Sequence, residues 1–208
     1  MSKLLICYGT RPELIKVAPI VWEFQRQRLQ HHLLLVCSNQ HPLQALEAEL
    51  GVQPDYRLAG PPPNARLAAQ LAALLQQLDE LMIRLQQRNS VQAVLAQGDT
   101  NTTLAAAQAA FYNRLPFYHV EAGLRTNNVW SPFPEEFNRK TIASVTHTHF
   151  APSDTEATQL LLEGVHEANV VVSGNTINDA LVHCHGAPAV LSAKERDTVL
   201  VTIHRRQN

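Results

Sequence analysis

Three carboxylates stand directly behind apolar runs or helix starts: Asp99 after "AVLAQG", Glu121 after "FYHV" and Glu135 in "PFPEEFNR". A further loop, "GTRPELIK" after "LLICY", offers Arg11 and Lys16 instead. Carboxylates take and return protons and stabilise developing positive charge, and a guanidinium beside the positive end of a helix grips an anion such as a phosphate. Gly9 allows a tight turn there, and Pro12 suits a first helical position. Each residue also has an ordinary reading. Asp99 is a good helix N-cap, Glu135 and Glu136 complement the dipole of a helix start, and Arg11 is a surface cation near another. Glu121 fits such readings least, because Glu caps poorly and has low strand propensity. Three successive loops on one sheet edge each delivering a carboxylate are harder to explain by capping than any one of them. The glycine-rich G-x-G-x-x-G of dinucleotide sites is absent, so the anion site is one of guanidinium and backbone amides together.

The elements that must position these groups alternate from end to end. Short apolar runs ("LLICY", "HLLLVCS", "AVLAQ", "LPFYHV", "HTHFAP", "NVVVSG", "TVLVTI") are separated by segments of helical period over 13–27, 43–50, 64–88, 100–113, 134–145, 154–164 and 177–183. That pattern predicts a parallel sheet covered by helices on both faces, with its ligand site beyond the carboxyl ends of the strands. Asn64 after "PPP", Thr100 and Asp154 are the expected caps of their helices. The Ala/Leu/Gln segment over 64–88 reads as one long packed helix with a single apolar stripe. Residues 186–197 lack periodicity and hold Gly, Pro and Ser, which predicts a linker, so the run over 198–208 opens something new.

Composition narrows the class. With 45% hydrophobic and 17% charged residues and a formal net charge of −1 over 208 residues, the chain carries no field that would favour nucleic acid or a membrane surface. No run approaches the roughly 20 apolar residues of a spanning helix, and the N-terminus lacks a signal pattern. Three cysteines, two of them (Cys7, Cys37) inside apolar runs, predict buried free thiols and a cytoplasmic protein. The pairs His147/His149 and His183/His185 lack an acidic or Cys partner at zinc-like spacing, so neither a metal nor another cofactor is expected. His204 differs: it ends an apolar run and precedes Arg205 and Arg206, a placement for phosphate binding or proton transfer.

Six motifs, "GTRPELIK", "QGDTNTT", "HVEAGLRT", "PFPEEFNR", "GNTINDAL" and "TIHRRQN", occur in an order that resembles the non-hydrolysing UDP-N-acetylglucosamine 2-epimerases across nearly the whole chain. The resemblance implies the first, Rossmann-like domain of a two-domain GT-B fold, a doubly wound parallel α/β sheet. Its expected boundaries are 1–185 for the first domain, 186–197 for the crossover linker and 198–208 for the first strand and loop of a second. The implied reaction inverts C2 of UDP-N-acetylglucosamine to give UDP-N-acetylmannosamine, by eliminating UDP to a glycal and adding it back. The implied catalytic groups are Asp99, Glu121, Glu135 and His204. Implied substrate contacts are Arg11, Lys16, Arg139, Asn175 and Arg205, with UDP or the sugar nucleotide as partner, and a homodimer through the long Ala/Leu helix once the second domain is present.

Departures from the family pattern are Gln207 in place of Glu, Asn178 in place of an apolar residue, and "NQHPLQ" in place of the more polar run tied to allosteric activation. The absent second domain implies a chain inactive by itself, because an open site cannot exclude water from charge-separating chemistry. Two other readings stand beside the first. One is the hydrolysing relative, which releases N-acetylmannosamine and UDP; the other is a non-catalytic remnant that binds nucleotide weakly.

Overall fold

Runs such as "LLICY" and "AVLA" are apolar at every position because helices cover both faces of the sheet they form. The computed structural model describes residues 3–38, 42–60 and 64–185. The expected linker over 186–197 and strand over 198–208, with His204 and Arg205, lie outside the described residues.

Seven strands form one all-parallel sheet: β1 (Lys3–Tyr8), β2 (Leu33–Cys37), β3 (Tyr56–Arg57), β4 (Val91–Gln97), β5 (Phe117–Val120), β6 (Thr148–Ala151) and β7 (Val170–Val172), in the order β3-β2-β1-β4-β5-β6-β7. The chain winds outward from β1 in one direction and from β4 in the other, so the fold is the doubly wound α/β class that was expected. Between β1 and β4 the connections diverge, which opens a crevice at the carboxyl ends of the strands. Strand β3 was not foreseen. Its two residues are too few to show a period, and they pair only with Val36 and Cys37.

Alternation along β1 divides the core. Leu5 and Cys7 face one layer, with α3 (Leu67–Gln87) and α4 (Asn101–Tyr112), whereas Ile6 and Tyr8 face the other, with α1 (Arg11–Arg26) and the short α2 (Gln44–Glu49). The stripe expected on α3 is present as Leu74, Leu78, Leu81, Met82 and Leu85, packed on the alanine-rich face of α4. Full burial of each such side chain stabilises by about 2 kcal/mol. Both Cys7 and Cys37 are buried free thiols, and burial pushes the Cys7 thiol up to about 12.

Two expected caps are corrected. Helix α3 starts at Leu67 behind Arg66, which makes no side-chain cap, while Asn64 lies outside the helix at φ +60°. In α6 (Asp154–Leu162) the cap is Ser153, whose hydroxyl accepts from Thr155 N; Asp154 is the first helical residue. A Ser-Asp pair offers two good caps, and the local sequence does not choose between them. Thr100 caps α4 as expected, accepting from Thr102 N at 3.1 Å.

Candidate functional site

The turn after β1 is set by a close approach. Gly9 does not use positive φ; instead, a Cβ there would lie 1.8 Å from Ser38 Oγ and 2.6 Å from Thr102 Oγ1. Glycine thus lets the β1 turn nest between the end of β2 and the start of α4. Thr10 caps α1 in a reciprocal box with Glu13, and Arg11 occupies the first helical position. The Glu13 carboxylate is 2% exposed. It accepts from Gly9 N at 2.6 Å and Thr10 N at 2.8 Å, and it also accepts the hydroxyl of Thr100. Burial raises its pKa against these hydrogen bonds. One buried side chain therefore ties the β1 loop to the β4 loop.

Glu121 follows β5 in the left-handed region at φ +63°, a conformation that costs a non-glycine residue about 1 kcal/mol or more. Its neighbours explain the turn. Ala122 is fully buried, and a Cβ on Gly123 (φ +94°) would lie 2.4 Å from the Glu156 carbonyl oxygen of α6. The carboxylate is held from three elements: Lys16 Nζ of α1 at 2.5 Å, the Gln97 amide at the end of β4, and Asn175 Nδ2 at 3.0 Å. Asn175 also accepts from Ile177 N at 3.1 Å, so it caps α7 (Thr176–His185) while donating to Glu121.

Asp99 is fixed by α5 (Glu135–Ala143). Arg139 Nε and Nη2 both reach Asp99 Oδ2 at 2.8 Å, and Asn138 Nδ2 donates to the Asp99 carbonyl at 2.8 Å. Arg139 also contacts Glu136 at 3.3 Å. Glu136 is fully buried and accepts from Thr126 N and Asn127 N, so its role is to fold the loop before α5 rather than to complement a helix dipole.

A cavity of about 630 Å³ opens among these loops, lined by Arg11, Glu13, Lys16, Asp99, Glu121 and Arg139 together with neighbouring backbone. Lys16 and Arg139 are each engaged by a carboxylate. Arg11, exposed at the N-terminus of α1, has no ion-pair partner among the described residues. The site thus offers one uncommitted guanidinium at a helix start and two carboxyl groups on neighbouring loops. Such a set can hold a phosphate-bearing ligand and move protons next to it.

Of the residues singled out in the sequence, Asp99, Glu121, Arg11, Lys16 and Arg139 converge on this cavity. Glu135 begins α5 without joining the cavity lining, and Asn175 reaches the site through its bond to Glu121. Three further residues were missed. Glu13 was hidden by its capping box, whereas Gln97 and His119 stood inside apolar runs, where a polar side chain is itself a signal because burial without a partner is costly. His119 is among the residues that line the cavity. Of the "HTH" pair, His149 is buried and His147 exposed.

Comparison with known proteins agrees with this geometry. The family model for UDP-N-acetylglucosamine 2-epimerase matches residues 23–208. The UDP-N-acetylglucosamine 2-epimerase of Salmonella borreze is 35% identical over 222 aligned positions, covering all of this chain and 58% of that protein. Among solved structures, the Staphylococcus aureus MnaA–UDP complex superposes with a TM-score of 0.81 at 36% identity, over 93% of this chain and 50% of that one. The Methanocaldococcus jannaschii UDP-GlcNAc 2-epimerase in complex with UDP-GlcNAc and UDP gives 0.79 at 33% identity, over 87% and 49%. The chain spans about half the length of the curated relatives it matches. With a family model matched over most of its length, and with the acid-lined crevice in place, the chain belongs to the UDP-N-acetylglucosamine 2-epimerase family.

Proposed function

We propose that this chain carries the acid-bearing half of a site that inverts C2 of UDP-N-acetylglucosamine. The observation that carries the reading is the convergence of two carboxylates, Asp99 and Glu121, on a cavity whose one uncommitted cation, among the described residues, is Arg11 at a helix N-terminus. Removal of the C2 proton to a carboxylate and breakage of the C1–O bond give a glycal and UDP. Re-addition of UDP, with a proton returned to the opposite face of C2, gives UDP-N-acetylmannosamine. Carboxylates serve twice, accepting the proton and stabilising the oxocarbenium-like charge as the diphosphate leaves. Two faces require two proton carriers, and Asp99 and Glu121 come from different strands. Glu135 is a third acid in this proposal. Arg11 and the first amides of α1 would receive the diphosphate, with Lys16 next along the helix.

In this reading residues 186–197 are the linker, 198–208 start a second domain, and His204 and Arg205 close the site from that side. The Asp99 and Lys16 side chains are 25% and 22% exposed, so water reaches the site from the described half alone. Such a site favours hydrolysis of the glycal or no turnover until the cleft is completed. A homodimer through the solvent face of α3, where Leu67 and Ile83 are exposed, belongs to the same proposal.

Two measurements test the reading. The first is calorimetric titration of the chain with UDP, in which Arg11→Ala weakens binding at least tenfold; absence of any UDP binding in the millimolar range refutes the site. The second joins residues 1–185 to the second half of the Staphylococcus aureus relative and follows UDP-N-acetylglucosamine in D₂O by NMR. Deuterium at C2 of UDP-N-acetylmannosamine is expected; free N-acetylmannosamine favours the hydrolysing reaction. Loss of both products in Glu121→Gln, with UDP binding retained, is the expected control.

A further inference from the structure

Asp99 and Glu121 sit on separate loops, so their spacing depends on what joins β4 to β5 beyond the last ladder pair, Gln97 with Val120. Besides the Gln97 amide on Glu121, two hydrogen bonds at Gly98 do so. Gly98 N donates to Val120 O at 3.1 Å, and the His119 ring Nε2 lies 2.7 Å from Gly98 O. Both polar backbone groups of Gly98 are therefore held by the two residues that precede Glu121, and Gly98 itself precedes Asp99. Gly98 adopts φ +83°. At glycine the backbone is otherwise free to rotate, so the adjoining peptide depends on these two bonds for its orientation.

The chemistry of the ring follows from its surroundings. His119 is 2% exposed. A carbonyl oxygen only accepts, so Nε2 carries the proton and Nδ1 a lone pair; Nδ1 has no partner among the described residues. Burial lowers the ring's pKa to about 4 despite the nearby Asp99 and Glu121 carboxylates, with Arg125 adding to the depression. The imidazole is neutral near pH 7 and commits its single proton to Gly98. For packing alone an apolar ring would serve better, since it would leave no nitrogen buried without a partner.

We propose that His119 is a positioning residue, which fixes the separation of Asp99 and Glu121 by clamping the Gly98 carbonyl. It rests on the proposed function only for the meaning of those two carboxylates. Its test uses no substrate, so failure of the clamp and failure of the epimerase reading are distinguishable.

On the unmodified chain, ¹⁵N NMR of the His119 ring is expected to show a protonated Nε2 and a bare Nδ1 between pH 7 and 5; a proton on Nδ1 overturns the proposal. Two variants follow. His119→Gln can place its amide nitrogen near the position of Nε2, whereas His119→Phe fills the space without a donor. Expected for His119→Phe are amide exchange at Gly98 faster by roughly tenfold or more, and displaced ¹³C carboxyl signals for both Asp99 and Glu121, with β1–β2 protection unchanged. His119→Gln is expected to restore all three toward the unmodified values. The clamp is refuted if His119→Phe leaves residues 98, 99 and 121 unaltered, or if His119→Gln is as disturbed as His119→Phe. Should His119→Phe fail to fold, the tautomer and His119→Gln decide between the same two outcomes.

Discussion

Replacing Gly9 with alanine tests whether close packing, rather than turn geometry, places the β1 loop. The added Cβ would stand 1.8 Å from Ser38 Oγ, 2.6 Å from Thr102 Oγ1 and 3.1 Å from Ser38 Cβ. Ser38 and Thr102 are 1% and 0% exposed, and their hydroxyls share a 2.8 Å hydrogen bond. To make room, the Ser38 hydroxyl must turn away from Thr102 where no water replaces the lost partner, a loss of about 1–3 kcal/mol. Residual overlap with Thr102 adds overpacking of about 1–3 kcal/mol. Gly9→Ala is thus expected to cost about 2–6 kcal/mol by urea unfolding. Ser38→Ala alone should cost about 1 kcal/mol, since it strips Thr102 of a buried partner. In the Gly9→Ala background the same change removes the 1.8 Å contact and should recover stability. The sign of the Ser38→Ala effect therefore reverses between the two backgrounds, a coupling of about 2 kcal/mol or more in the double-mutant cycle. A Gly9→Ala variant within about 0.5 kcal/mol of the unmodified chain, or additive effects across the cycle, would refute the packing argument.

Acid should destabilise the fold through His119. Its folded pKa of about 4 lies below the ordinary 6.5, so the unfolded chain binds more protons between those values. Stability falls by about 2 kcal/mol from this group alone as the pH drops from 7 to 5, and His149, also lowered to about 4 by burial, acts in the same direction. Urea midpoints across that range should fall less steeply in His119→Gln, and equal slopes would count against the buried neutral ring. Glu13 acts with the opposite sign: its folded pKa is raised, so its contribution is present at low pH and is lost as the pH rises through that value. Glu13→Gln should therefore gain on the unmodified chain as the pH rises above the ordinary carboxylate range in the same assay, and a constant difference would mean the carboxyl is not held up by burial. Asn175→Asp keeps the α7 cap but sets a carboxylate where Asn175 Nδ2 now lies 3.0 Å from Glu121 Oε1. The pair should then titrate in two steps, one well above the ordinary carboxylate range, visible by ¹³C NMR; two ordinary steps would contradict the contact.

The doubly wound sheet was legible because both of its signals are local. Fully apolar runs such as "LLLVC" require cover on two faces, and alternation with helical segments leaves few ways to supply it. The convergence of Asp99, Glu121 and Arg11 was legible for a related reason: residues just beyond strand ends of a parallel sheet share one rim. What escaped depends on pairing across the chain. Strand β3 exists only through its bonds to Val36 and Cys37. Likewise Glu13 gave no signal beyond an acidic helix start, because its bond to Thr100 links residues that meet only after β1 and β4 have paired. Arg139 read as positive charge for a ligand, yet its distance to Asp99 assigns it to the acid it orients.

The charge arrangement itself constrains how the site works. In the proposed reaction a diphosphate entering the cavity would meet Asp99 and Glu121, whose repulsion is offset by ion pairs to Arg139 and Lys16 at 2.8 and 2.5 Å. The matching holds the acid groups in place, while the excess positive charge lies at Arg11 and the start of α1. On the proposed reading, the groups that hold the leaving group and those that act on the sugar are thereby separated in space, as an elimination across adjacent carbons needs. The backbone of Glu121 shows the same priority. Asn or Gly would tolerate φ +63° more readily, but neither could receive hydrogen bonds from Lys16, Gln97 and Asn175 together while presenting an acid to the cavity. At this turn, local stability gives way to chemistry.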